Sequence, residues 1–283
     1  MIGIIDVGGG MRGIYTSGIY DYLIDKGIEF EYCMGVSSGS ANMITYVAGQ
    51  RGRTKKFYLD YAFEKEYMGV GSYLKNGMLI NLDHIYSEIT NSTGKDPLDY
   101  EAIMKSKSEF IAVTTNAITG KPRYLTKADM KKDDYTLLKA SCAMPVACRK
   151  PIKMDGKLYF DGGLSDPMPY KKAFAEGCDK VVLCITKPID FRKTKMPNYA
   201  KLLVHKYPVI GELIMTMHEK YNNCVDEAIE LEKQGKMLVV YPEECFDINT
   251  LTREKEGMQK LYELGYSDGR KIEEFLEKAK AEV

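Results

Sequence analysis

Short apolar runs alternate along this chain with longer segments whose apolar positions recur every three or four residues. The runs at 2–7, 29–34, 109–115, 158–160, 180–186 and 237–241 predict strands. A helix is predicted over 11–25, closed by Gly27 just past its end, and a second from Ser38 to 49. Such alternation is the mark of an α/β fold. From 53 to 90 the pattern is helical, loosely held and rich in Tyr, Phe and Met, which predicts an excursion outside the sheet that acts as a cap. After Pro188 the strands nearly stop. Helical sequence at 213–233, 253–264 and 268–281 is interrupted only by the run at 237–241, which is expected to join the main sheet. One core over residues 1–190, with a mostly helical extension over 191–283 packed on it, is the expected organisation.

Composition narrows the partners. Forty basic and forty acidic side chains in 283 residues give a formal charge of +0. That balance offers no footprint for nucleic acid and no basic stripe for strong attraction to anionic lipid, while a neutral lipid stays open. The longest apolar stretches are strand-sized, far short of the roughly 20 residues a membrane-crossing helix needs. The N-terminus meets Asp6 without a basic segment before it, unlike a signal peptide. Seven cysteines, never spaced Cys-x-x-Cys, point to reduced packed thiols, a cytoplasmic location and no zinc site.

Three glycine motifs fall at predicted strand ends. Gly8-Gly9-Gly10-Met11-Arg12-Gly13 stands between a strand and a helix, where small residues let amides approach a phosphate or a developing oxyanion. Read literally it is Gly-x-Gly-x-x-Gly, so a nucleotide-binding oxidoreductase is one reading and a ligand-free tight turn another. Gly35-Val36-Ser37-Ser38-Gly39 follows the second strand. A dinucleotide site needs an acid there for the ribose, and none is present. The spacing is instead that of a nucleophile elbow, with glycines where a sharp turn leaves no room for side chains. Ser37 alternatively caps the following helix. Asp161-Gly162-Gly163 places a carboxylate at a strand end, in a dipeptide that also marks common turns.

A Ser-His-Asp triad needs a histidine, and His84, His205 and His218 are the three in the chain. His84 precedes Asp161, and the other two lie in helical sequence without a loop setting, so Asp161 is left as direct partner of Ser37. A carboxylate is a weak base toward a hydroxyl. It suffices only in a desolvated site where amide donors carry most of the stabilisation.

This ordered set resembles the patatin-like phospholipases, serine lipid acyl hydrolases with a Ser–Asp dyad. Ala140-Ser141-Cys142-Ala143-Met144-Pro145 is similar to the family's segment ahead of the aspartate strand, and Asp166-Pro167-Met168-Pro169 to its Asn-x-Pro, with Asp166 replacing the asparagine. Val7 stands where a further glycine is common. The likeness covers about residues 1–190 and implies a three-layer α/β/α patatin-like sandwich. It implies Ser37 as nucleophile, Asp161 as general base, and the amides of Gly8, Gly9, Gly10 and Ser38 as oxyanion hole. Met11, Arg12, Gly13, Gly35, Gly39, Gly162 and Gly163 become motif support, with Asp166 placing a second carboxyl beside Asp161. Lipid or acyl-ester substrates, transient contact with a membrane surface and no metal or organic cofactor follow from the same resemblance. The aromatic and Met-rich stretch 57–79, including Tyr61, Phe63, Tyr67, Met68 and Met78, is expected either to contact substrate or to pack as ordinary core and helix interface. A non-catalytic lipid-binding protein of the same fold is the remaining alternative.

Overall fold

The apolar runs become strands of one sheet in a computed structural model that describes residues 1–69, 73, 77–145 and 147–281. The strands are β1 (Ile2–Asp6), β2 (Tyr32–Val36), β3 (Glu109–Asn116), β4 (Pro122–Thr126), β5 (Ile152–Met154), β6 (Lys157–Asp161), β7 (Lys180–Cys184) and β8 (Met237–Val240). Their order is β5-β6-β3-β2-β1-β7-β8, with β4 paired to β3. The strands β1, β2, β3, β7 and β8 run parallel. The strand β4 was not foreseen because its short run carries Pro122 and Arg123 and is half exposed, and three-residue β5 is too short to show a period.

Eight α-helices surround the sheet: α1 (Ile14–Asp25), α2 (Ser38–Val47), α3 (Arg53–Leu59), α4 (Tyr100–Lys105), α5 (Thr136–Cys142), α6 (Tyr170–Ala175), α7 (Pro208–Lys233) and α8 (Lys255–Ala281), counted among the described residues. Neighbouring residues on a strand face opposite ways. Ile4, Cys33, Phe110 and Val182 therefore pack with α1, α2 and α8, while Ile5, Met34, Ile111 and Val181 pack with α6 and α7. The result is a three-layer α/β/α sandwich with helices on both faces. No helix among the described residues is long and apolar enough to cross a membrane.

The helices expected at 253–264 and 268–281 are one, α8. Gly265 falls in the interval left between the two. It marks a helix crossing instead: a Cβ there would collide with the carbonyl oxygen of Tyr15 on α1, just as one on Gly18 would meet that of Tyr262. Two glycines let α1 and α8 approach backbone to backbone, and the Tyr15 hydroxyl donates to Asp268 across the same seam at 2.6 Å. The strand β8 joins the sheet beside β7, so the C-terminal segment contributes to both outer helix and sheet.

One pairing matters most for the site. Val113 on β3 faces Val36 of β2 and Tyr124 of β4. The next residue, Thr114, faces Arg123 of β4 and Asp161 of β6. A strand has two edges, so β2 and β6 share one edge of β3, end to end. The last residue of β2 and the last of β6 thus occupy adjacent register positions.

Candidate active site

Between Val36 and Ser38 a single residue turns the chain from strand into helix. Ser37 has φ 56° and ψ −134°, a region that costs a non-glycine residue about 1–3 kcal/mol and persists only where surroundings enforce it. The enforcement is visible. The Ser37 amide donates to Ser141 Oγ at 3.0 Å, and the Ser141 hydroxyl donates to the Val113 carbonyl at 2.8 Å. The Ser40 hydroxyl donates to the Ser37 carbonyl at 2.7 Å. Gly39 must lack a side chain, because a Cβ there would stand 2.6 Å from the Asp6 carboxylate. The Ser37 hydroxyl makes no capping bond to α2, so the capping alternative is not realised.

Asp161 is wholly buried at the end of β6. Its Oδ1 accepts the Gly163 amide at 2.8 Å, and its Oδ2 has no aligned hydrogen-bond partner among the described residues. Burial pushes its carboxyl up to about 6, opposed by the nearby Ser37 hydroxyl, the Gly163 amide and the positive charge of Lys193. The Asp161 carbonyl accepts from the Thr115 hydroxyl at 2.7 Å, which fixes the strand end. Asp166 accepts from the Tyr124 hydroxyl at 2.7 Å.

The first glycine motif forms a loop over the elbow. The Gly8 amide is taken by Asp6 Oδ1 at 2.8 Å, inside the turn. Those of Gly9 and Gly10 both donate to Ser38 Oγ at 3.0 Å. At the first position of α2, the Ser38 amide has no intrahelical acceptor. Gly8, at φ 67°, sits so close that a Cβ would collide with the Val36 carbonyl and lie 2.8 Å from the Gly39 amide. Gly8→Ala is therefore expected to lift the loop from the elbow and lower stability by about 2 kcal/mol or more, read as a fall in thermal midpoint with loss of ester turnover. Met11 is buried and accepts a bond from the Tyr67 hydroxyl at 3.3 Å. Gly13 leaves room for the Tyr58 hydroxyl, and Gly162 lies against Val113.

A cavity of about 420 Å³ opens over these motifs and is lined by residues 8–10, Ser37, Ser38, Asp161 and Gly163. That volume suits a small organic ligand. Its apolar wall comes from the excursion after α2, through Phe57, Tyr61, Tyr67, Leu79, Ile85 and Tyr86. Of the stretch 57–79, Tyr61 and Tyr67 line the cavity while Phe63, Met68 and Met78 take the alternative and pack against the core, and residues 70–72 and 74–76 lie outside the described residues. None of the three histidines lines the cavity. His84 is buried between Glu88 and Glu64, at 2.6 and 2.9 Å, and His205 contacts the Leu202 carbonyl. His218 lies 3.7 Å from Glu219. Ligand atoms of Glu64, Glu66 and His84 fall within 4.8 Å of one another, with Glu64 already bound to Lys95 at 2.7 Å.

Three cavity residues escaped the chemical reading of the sequence: Arg12, treated as loop support, and Lys187 and Lys193. The signal present was the short run 187–195, where Lys187, Arg192, Lys193 and Lys195 stand against the single acid Asp190.

Comparisons with known proteins place the molecule. The model of the patatin-like phospholipase family matches residues 7–174, and that of a domain of unknown function, DUF6363, matches 207–280. The uncharacterized protein YjjU of Escherichia coli (strain K12) is 26% identical over 279 residues, spanning 95% of this chain and 76% of YjjU. The crystal structure of VipD from Legionella pneumophila superposes with a TM-score of 0.52 at 14% identity. That superposition covers 96% of this chain and 66% of VipD, just under two thirds of its length, and shows likeness of fold.

Proposed function

Because the chain belongs to the patatin-like phospholipase family, we propose that it is a serine acyl-ester hydrolase that cleaves lipid acyl esters with Ser37 and Asp161. One observation carries the reading: the strained elbow serine and a buried carboxyl with one free oxygen share a single largely apolar cavity. Ser37 Oγ attacks the acyl carbonyl carbon while its proton passes to Asp161 Oδ2. Asp161 returns that proton to the departing alkoxide, leaving an acyl-enzyme. Water then attacks the acyl carbon, loses its proton to Asp161, and the acid leaves as Ser37 recovers its hydrogen. Rotation of the Ser38 side chain frees the Gly9 and Gly10 amides for the tetrahedral oxygen, joined by the Ser38 amide. Each such donor contributes about 3 kcal/mol in a water-poor site. A cytoplasmic location fits the seven cysteines, all free.

The test is covalent labelling by a fluorophosphonate, followed by hydrolysis of p-nitrophenyl esters of increasing chain length. Absence of label and of turnover at every length would leave a lipid-binding protein. His84→Asn, His205→Ala and His218→Ala are each expected to keep turnover within about twofold, the range of substitutions away from key contacts. Loss of activity in one of them would replace the dyad by a triad.

The dyad also predicts a pH profile. Only the carboxylate form of Asp161 accepts the Ser37 proton, and its pKa is pushed up to about 6. Initial rates between pH 4.5 and 8 are expected to give a kcat/KM that is flat above this value and falls about tenfold per unit below it. A midpoint near 4 would mean that the base is not a buried carboxyl.

A further inference from the structure

We propose that the cavity selects acyl chains of medium length: an apolar arm runs from Ser37 beside α2 to a polar stop formed by Arg53, Thr90 and Asp96. The inference rests on the hydrolase reading of this site and adds the class of acyl group it takes. Each of these residues lines the cavity that contains Ser37 and Asp161.

Two stripes build the arm. From α3 and the turn after it come Thr54, Phe57 and Tyr61, at the spacing of one helix face. The π-helical segment His84–Ile89 supplies Ile85 and Ile89, with Thr90 one residue on. Polar atoms along the arm are already engaged. The Asn42 amide donates to the Gly13 carbonyl and the Thr16 hydroxyl at 2.7 and 2.9 Å, and the Tyr86 hydroxyl is paired with Cys142 Sγ at 3.2 Å. A methylene chain therefore leaves none of them short of a partner. Where the glycine loop and the segment after β7 line the cavity they bring Arg12, Lys187 and Lys193, so the arm is the side fit for hydrocarbon.

The stop is charged and held in place. Arg53 Nη1 donates to Thr45 Oγ1 at 3.3 Å, and Nη2 to Thr90 Oγ1 at 3.0 Å and to the Asp96 carbonyl at 2.8 Å. Its Nε lies 3.9 Å from the Asp96 carboxylate, and the two side chains are 13% and 19% exposed. An apolar chain end pressed against this pair would take away its remaining water and return no hydrogen bond, which is costly for charged groups. Thr45 sets the distance. It stands seven residues beyond Ser38 on α2, so the stop lies about 10 Å from the elbow along the helix axis. An extended chain advances about 1.2 Å per bond, a third of the span of one extended residue, which gives room for about eight to ten carbons.

The test is kcat/KM of the full chain for p-nitrophenyl esters of four to sixteen acyl carbons, below their micelle concentrations. The value is expected to rise by about fourfold per methylene to an optimum at about eight to ten carbons, then to fall about tenfold or more by fourteen. Arg53→Met removes the charge, and the dodecanoyl ester should gain about tenfold relative to the octanoyl ester. Ala41→Leu narrows the arm one helical turn from the elbow, and the octanoyl ester should lose about tenfold relative to the butanoyl ester. Thermal melting checks both folds, and if Arg53→Met does not fold, Ala41→Leu decides alone. A rate that climbs to sixteen carbons in the intact protein, or a folded Arg53→Met with the original optimum, overturns the stop. An optimum unmoved in Ala41→Leu overturns the path. If no ester is hydrolysed, the intact protein is titrated calorimetrically with free carboxylic acids of the same lengths. Affinity that peaks at eight to ten carbons then upholds the chain selection while the hydrolase reading fails, and affinity without a peak overturns the selection.

Discussion

Ser37→Ala lowers kcat/KM for an acyl ester by about 10⁴-fold or more and eliminates fluorophosphonate labelling, while the protein stays folded. The size follows from removing the nucleophile itself, which costs other serine hydrolases on the order of 10⁴–10⁶ because donors and binding alone retain little rate. The fold survives because the elbow is held through the Ser37 amide and carbonyl, by Ser141 and Ser40, and alanine keeps both. Circular dichroism and thermal melting check the fold, and labelling with initial rates checks the chemistry. Persistent labelling would move the nucleophile to another serine, the obvious one being Ser38.

Asp161→Asn pulls activity and stability in opposite directions. Turnover is expected to fall by about 10³–10⁴-fold, as when an amide replaces an essential carboxylate. Stability at pH 7 is expected to rise. The native carboxyl is raised from 3.8 to about 6, so between these values the folded state binds more protons than the unfolded one. The stability it confers is complete below 3.8 and lost as pH climbs through 6, leaving a destabilisation of order 2–3 kcal/mol at neutral pH. Asparagine removes the buried charge and still accepts the Gly163 amide. A thermal midpoint higher by roughly 4–8 °C at pH 7, shrinking toward zero at pH 4, is the expected signature. A lower midpoint at pH 7, or a gain equal at both pH values, would show that Asp161 is not held as a costly carboxylate.

Much of this architecture could be read directly from residue order. The period of apolar positions located the parallel strands to within a few residues, since a two-sided buried strand and an amphipathic helix differ in repeat alone. Glycines at 8, 35 and 39 announced tight backbone approach, because no other residue tolerates those contacts. Elsewhere local reading misled. The interval 265–267 was left between two helices and lies inside one, with Gly265 at a helix crossing, since a glycine's role depends on what lies against it. The balance of 40 basic and 40 acidic residues concealed the cationic pocket, because net charge carries no information on where charges gather. The Gly8 amide, expected to face a ligand, is spent on Asp6.

The chain's own residue pattern determined the α/β alternation, the elbow spacing and the absence of a suitably placed histidine, all of which are local or countable. Tertiary structure alone decided that β2 and β6 abut along one edge of β3, bringing residues 37 and 161 into one cavity with Arg12, Lys187 and Lys193. Strand neighbours separated by more than a hundred residues are selected by the packing of the whole sheet, and the burial that raises Asp161 exists only once that packing has excluded water from its carboxyl.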